Sequence, residues 1–317
     1  MHRQRQTPSC RSIVTDGQIQ TVGLSHMKVS RNFLISFALL FPAAVLLVAF
    51  TFYPTVATLI DSVYSTPRGR RAAAFVGTGN FERMIADPVF HRAFLNNLIY
   101  AAVVIPVSMG LALAMALLVN ARIKGRGFVR LAYFTPTILP MIAVANIWMF
   151  FYTPDYGLID QFLSWFGWGG TNWLGQSKTA LWALIIITIW KLAGFFMIFY
   201  LAALQQIPPT LLEAAMLEGA TYMQRLRRVI LPLLMPTTLF ILINAVIEAF
   251  RLVDHVIALT RGGPNNSTQL LLHYIYQVAF NFWDTAYAAA LSVVMLVLLG
   301  LIALFQFGFL DKRIHYR

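Results

Sequence analysis

The stretch Glu213 to Pro232, EAAMLEGATYMQRLRRVILP, lies between two long apolar runs and is itself mixed in character. Pro208 and Pro209 stop the run before it, Thr210 can cap a new helix, and Glu213 stands three residues later as in a capping box. The pattern predicts a short amphipathic helix outside the bilayer. Leu212, Ala215, Met216, Gly219, Met223 and Leu226 recur along one face, and Glu218, Thr221, Arg225 and Arg228 mark another. The small residues Ala214, Ala215, Gly219 and Ala220 would let a second protein approach the backbone closely, and Pro232 marks entry to the next apolar run. On residue chemistry alone two readings stand: a docking helix, or a capped helix resting on lipid headgroups with Glu213 satisfying backbone amides.

The flanking runs set the class. The chain of 317 residues is 59% hydrophobic and 11% charged, with a mean hydropathy of +0.69, far from the balance of a water-soluble domain. Six long apolar runs emerge: Phe33 to Ile60, Phe94 to Val119, Leu131 to Tyr152, Ala180 to Leu204, Val229 to Phe250 and Ala286 to Leu310. Each is long enough to cross about 30 Å of hydrocarbon as a helix, and the short alternating segments of a membrane barrel are missing. The expected fold is all-α and polytopic, with six transmembrane helices.

Lys and Arg near span ends resist translocation, which orients the chain. Arg3, Arg5, Arg11, Lys28 and Arg31, the tight loop Arg122, Lys124, Arg126 and Arg130, the trio Arg225, Arg227 and Arg228, and the terminal Lys312, Arg313 and Arg317 share one face. Both termini are therefore expected in the cytoplasm. The first external loop dissents with Arg68, Arg70, Arg71, Arg83 and Arg92, but its length and carboxylates weaken the rule there. The net charge of +12 reads as topology and attraction to membrane lipid, and no aromatic-interleaved basic stripe points to nucleic acid.

Residues 1–27 read as a flexible cytoplasmic tail, with Met27 an alternative start, and 28–317 as one transmembrane domain. Cys10, the single cysteine, excludes an intramolecular disulfide or a cysteine-built metal site. The six histidines show no metal-binding spacing, and neither a phosphate-binding G-x-x-x-x-G-K-[ST] loop nor a G-x-S-x-G elbow occurs. No catalytic residue, metal or bound cofactor is expected, and the chain is read as a non-enzyme.

The spacing E-A-A-x3-G-x9-[IV]-x-L-P, met throughout from Glu213 to Pro232 with Val229 where isoleucine is commoner, resembles the EAA loop of binding-protein-dependent ABC importer permeases of the carbohydrate-uptake type. Further blocks extend the resemblance over nearly the whole chain after Met27: Phe75-Val-Gly with Asn80-Phe-Glu-Arg and Asp87-Pro-Val-Phe; Ile189-Trp-Lys with Ala203-Leu-Gln and Ile207-Pro; and Leu259-Thr with Gly262-Gly-Pro, Thr268, Tyr274-Ile-Tyr and Ala279-Phe. The resemblance implies a coupling helix between spans four and five that seats in an ATPase subunit. Glu213, Ala214, Ala215, Gly219, Ala220, Leu231 and Pro232 form that element; Glu213 would pair with a basic residue of the ATPase, and Gly219 would permit close packing.

The resemblance also implies the partners: a second, homologous permease subunit, two ATP-binding subunits that carry ATP and Mg, and an extracytoplasmic solute-binding protein, in the bacterial cytoplasmic (inner) membrane. The implied cargo is a sugar or related polyol, with glycerol 3-phosphate or a glycerophosphodiester as the alternative. A stand-alone secondary transporter is a distant reading, since no clear internal repeat and a single mid-span cation are seen. Polar residues at membrane depth are candidates for the substrate pathway: Lys191, Asn97, Asn146, Asn244 and Glu248. For Lys191 the alternative is a structural bond to a carboxylate or carbonyl of a neighbouring helix, for the asparagines helix-packing hydrogen bonds, and for Glu248 a gate or subunit contact.

Overall fold

The structure, a computed structural model, describes residues 31–310 except 68, 70, 122, 123 and 168. The tail 1–27 with Cys10, and Lys28, Arg68, Arg70, Arg122, Trp168, Lys312, Arg313 and Arg317, lie outside the described residues. All the regular structure among the described residues is helical, apart from an isolated bridge between Tyr64 and Phe75. The chain divides into two compact units, 1–54 and 55–317.

Among the described residues four helices are long and apolar enough to cross a membrane: α1 (Ile35–Asp61), α3 (Pro88–Asn120), α7 (Ala180–Gln206) and α13, whose helix Thr285–Phe305 continues to Gly308. Two bent pairs raise the number to six if each is one span. The first pair is α4 (Arg126–Ile138) with α5 (Met141–Phe151), bent by 104°; the second is α9 (Tyr222–Leu233) with the segment Met235–Leu259, bent by 67°. The latter segment contains α10 (Met235–Arg251) and α11 (Asp254–Leu259). The apolar runs Leu131–Tyr152 and Val229–Phe250, each expected as one transmembrane helix, are thus each broken by a bend. Proline is the reason. Leu139 is extended (φ −72°, ψ 135°), as a residue before Pro140 prefers to be. At the second bend Leu234 sits between Pro232 and Pro236, neither of which can donate to the helix ladder.

Shorter helices connect the spans: α2 (Gly79–Ala86), α6 (Leu158–Ser164), α8 (Pro209–Leu217) and α12 (Leu271–Tyr276). Helix starts follow capping chemistry. The Asp87 carboxylate accepts the Val89 N–H (2.8 Å) with Pro88 in the first turn, so α3 begins six residues before the apolar run Phe94 to Val119. Asp284 accepts from the Tyr287 N–H at the head of α13. The core of the second unit is the long seam between α3 and α7, completed by α10. Fully buried Ala112 and Ala116 on α3, with Ala245 and Ala249 on α10, let the backbones approach. Small residues at helix contacts serve this purpose in lipid, where lipid tails are as apolar as leucine.

Candidate functional site

The loop between α7 and α9 is built by three backbone devices. Helix α7 ends at Ile207, before the Pro208–Pro209 pair, and α8 starts on Pro209 with Pro208 as its N-cap. Thr210 is therefore inside the helix and makes no cap bond, which corrects the expected capping box with Glu213. The box that does form is one element later. There the Thr221 hydroxyl accepts the Gln224 N–H (3.4 Å), and the Gln224 side chain accepts the Thr221 N–H (2.8 Å). Between the two helices the Ala220 N–H donates to the Ala215 carbonyl and the Gly219 N–H to that of Met216, both at 3.0 Å. This is a Schellman turn, which needs its penultimate residue left-handed; Gly219 has φ +78°.

The continuous apolar face expected from Leu212 to Leu226 is thus two helices hinged at Gly219. Leu212 and Leu226 pack against the main core, which fixes the loop to the spans. Its tip is open: Glu213, Ala214, Gly219 and Pro232 are exposed, Ala215, Ala220 and Leu231 half-buried, and Leu217 is 91% exposed. The Glu213 carboxylate has no hydrogen-bond partner among the described residues, although its backbone lies within α8. No atom lies within 4 Å of a Cβ built at Gly219, so its requirement within this chain is conformational. A cleft of about 310 Å³ runs beside the turn between Ala215, Gly219, Ala220, Gln224 and Arg228. The arrangement can present an acidic side chain, a bare backbone turn and an apolar knob to a second protein.

The polar residues at membrane depth are placed separately. The Lys191 ammonium donates to the carbonyls of Pro136 (3.0 Å), Thr137 (3.5 Å) and Leu139 (2.5 Å) at the break between α4 and α5. Asn97 is buried, and its Oδ1 accepts the Leu271 N–H at 3.2 Å. Asn244 donates to the Phe240 carbonyl of its own helix (2.8 Å), and Asn146 is exposed. Glu248 is half-buried, with its charge within electrostatic reach of Lys191 and Tyr100.

Two clusters escaped the sequence reading. Within the spans, the Tyr100 hydroxyl meets Thr188 Oγ1 (2.5 Å) and His255 Nε2 (3.1 Å), joining α3, α7 and α11 in a fully buried polar node. His255 Nδ1 has no partner among the described residues. At the N-terminal ends of α3 and α13, Asp87 accepts from the Tyr274 and Tyr287 hydroxyls, the latter at 2.7 Å. Beside it Asp284 accepts from Arg83 (2.6 Å) and Thr66 (2.5 Å), with Arg83 over the Tyr287 ring. Burial alone would raise both carboxyls, but these donors outweigh it and hold Asp87 and Asp284 below their ordinary values. The only hint in sequence was polar residues inside or next to apolar runs.

The loop between α11 and α12 is tied to α3 as well. Asn96 donates to the carbonyls of Asn266 (2.9 Å) and Gln269 (3.0 Å), and Thr268 bridges Thr260 and the Gly263 carbonyl at 2.7 Å each, closing the Gly262-Gly-Pro turn. In the segment between α5 and α7 Asp160 accepts three backbone N–H groups, from Gly170 (2.9 Å), Asp155 (2.9 Å) and Thr171 (3.1 Å). These bonds, that from Gly170 foremost, lower its pKa. Among the described residues no group of three or more His, Cys, Asp or Glu side chains could hold a metal ion.

Comparison with known proteins places this geometry. Residues 107–316 match the family described as binding-protein-dependent transport system inner membrane component. The chain is 31% identical over 288 residues to the sn-glycerol-3-phosphate transport system permease protein UgpA of Agrobacterium fabrum, covering 90% of this chain and 97% of the relative. It is 33% identical to the sulfoquinovosyl glycerol transport system permease protein SmoG of the same organism (84% and 86% covered). It is 32% identical to the trehalose/maltose transport system permease protein MalF of Thermococcus litoralis (83% and 89%). A bacterial ABC transporter involved in import of the acidic polysaccharide alginate shares the fold, with a TM-score of 0.79 at 24% identity over 90% of this chain and 97% of that one. The same kind of transporter, in complex with an alginate pentasaccharide-bound periplasmic protein, aligns with a TM-score of 0.78 at 25% identity (88% and 94%). The match covers most of the chain, including the whole Glu213–Pro232 loop and the bent pair Tyr222–Leu233 with Met235–Leu259. The chain belongs to the binding-protein-dependent inner membrane component family and is a permease subunit of an ABC importer, a role in which the ATPase site resides on separate subunits.

Proposed function

We propose that this permease imports an uncharged sugar or related polyol across the bacterial cytoplasmic membrane, with both termini inside, six spans counting each bent pair as one, and residues 28–317 as the transmembrane domain. In this reading α8 and the Gly219 turn dock in a cleft of an ATPase subunit. Glu213 pairs there with a basic residue, Ala214, Ala215 and Ala220 allow close approach, and Leu231 and Pro232 lead into the fifth span. The assembly holds a second, homologous permease, two ATP-binding subunits carrying ATP and Mg, and an extracytoplasmic solute-binding protein, with basic residues of the inner face on anionic membrane lipid. ATP-driven closure of the ATPase pair draws the two coupling helices together, and the permeases exchange inward-facing for outward-facing states.

The observation that carries the docking half is the exposed, core-anchored loop with its left-handed Gly219 turn. The cargo half rests on Lys191. Its ammonium has three donors, and three carbonyls occupy them, so it has no spare N–H to give a phosphate. Asn97, Asn146, Asn244 and Glu248 remain the candidate pathway residues, with Glu248 adding negative rather than positive potential, and Lys191 is read instead as bonded to the α4 carbonyls. The specific observation favouring glycerol 3-phosphate or a glycerophosphodiester is the 31% identity to UgpA. Binding-protein-stimulated ATP hydrolysis by the purified complex tests both halves, with uncharged sugars and glycerol 3-phosphate as ligands and wild type against Glu213→Ala with Gly219→Asp. Stimulation by a sugar that the double variant loses supports the reading. Stimulation by glycerol 3-phosphate alone overturns the cargo, and full stimulation of the double variant overturns the docking.

A further inference from the structure

Helix α4 ends inside the membrane region, and the last carbonyls of any helix lack intrahelical donors. Here the deficit is enforced by sequence: the residue four places beyond Pro136 is Pro140, which has no N–H. In a low-dielectric setting such carbonyls must find another donor. Lys191, projecting from α7, supplies it with all three of its N–H groups, and a cation there also complements the negative end of the half-helix. Three residues further along α7, Gly194 lets α4 come very close, since a Cβ at that position would lie 2.2 Å from the Tyr133 carbonyl oxygen. Beyond the break α5 rests on the same helix, with buried Met141 and Val144 packed in one cluster with Ala183 and Ile187. Both halves of the broken span are thus referenced to α7.

We infer that Lys191 is a positioning residue that clamps the broken end of α4 to α7 and so fixes the angle at which α5 stands across the break, without touching cargo. Its loss frees the break; the external binding protein is engaged as before. The inference rests on the importer reading only for its ATPase arm. Hydrogen exchange in the reconstituted complex reads the break itself.

In Lys191→Met, amides from Thr137 to Val144 are expected to exchange about tenfold faster, as loss of a charge-assisted bond implies, while those of α13 stay as in wild type. Lys191→Arg, which keeps the charge and donors, should restore much of the protection. Maximal binding-protein-stimulated ATP hydrolysis should fall in Lys191→Met, with the half-saturating concentration of liganded binding protein unchanged. Exchange at the break equal to wild type overturns the inference, as does a raised half-saturating concentration with unchanged maximal rate, the mark of a ligand contact. If Lys191→Met does not assemble, Lys191→Gln, which keeps an amide donor, is measured instead: intermediate exchange supports the clamp and wild-type exchange overturns it. An absence of stimulation in wild type would overturn the importer reading and leave the exchange result standing.

Discussion

Gly219 separates two explanations that a loss-of-function screen would merge. Its φ of +78° costs an L-residue about 1–2 kcal/mol, and asparagine tolerates that region better than alanine. No atom lies within 4 Å of the added Cβ, so no clash within this chain adds to the cost. Gly219→Ala should therefore lower the population of the correctly shaped turn by a factor of about 5–30, and Gly219→Asn by clearly less. The turn has its own reporter: the Ala220 amide, bonded to the Ala215 carbonyl, should exchange fastest in the alanine variant. Binding-protein-stimulated ATPase activity of the assembled complex should fall in the same order, glycine above asparagine above alanine. If activity instead falls with side-chain size, asparagine below alanine, at unchanged Ala220 exchange, the conformational argument is wrong and the glycine serves the partner's approach.

Other perturbations follow from the same geometry. Asp87→Ala leaves the Tyr274 and Tyr287 hydroxyls without their acceptor and should cost about 1–3 kcal/mol, read as a lower thermal midpoint of the detergent-solubilised complex. Because Asp87 and Asp284 sit below their ordinary value of 3.8 when folded, their contribution is complete above that value and is lost as pH falls through the lowered folded values. Thermal midpoints recorded down through the acid range should drop there, and drop less in the Asp87→Ala variant. Gly194→Ala forces a methyl against the Tyr133 carbonyl and should destabilise by about 1–3 kcal/mol, seen in the same thermal assay. Asp160→Ala removes the acceptor of three backbone N–H groups and should speed proteolysis between Gly167 and Thr171 without altering ATPase stimulation.

Apolar runs and the Glu213–Pro232 spacing were legible because each depends on local residue identity alone. The 104° break was not, although Pro136 and Pro140 stood in plain view, because averaged hydropathy over Leu131 to Tyr152 is blind to backbone direction. The capping boxes show the same limit. Thr210-x-x-Glu213 and Thr221-x-x-Gln224 fit one pattern about equally, and the Pro208–Pro209 pair decides between them by starting the helix before Thr210. Lys191 was visible as a charge in an apolar run, but its three carbonyl partners lie more than 50 positions away. The Tyr100–Thr188–His255 node and the Asp87 cluster are tertiary in the same sense, assembled from segments whose pairing no spacing reveals.

The central claim is that this chain moves cargo only as part of an ATP-driven assembly, and uptake into proteoliposomes tests it most directly. The vesicles would hold the permease with its partner permease and ATPase subunits, ATP inside and liganded binding protein outside. Accumulation of labelled cargo that needs both ATP and the binding protein, and that disappears when the ATPase subunits are omitted, is the predicted result. Accumulation by this chain alone, driven by an ion gradient without ATPase subunits, would contradict it.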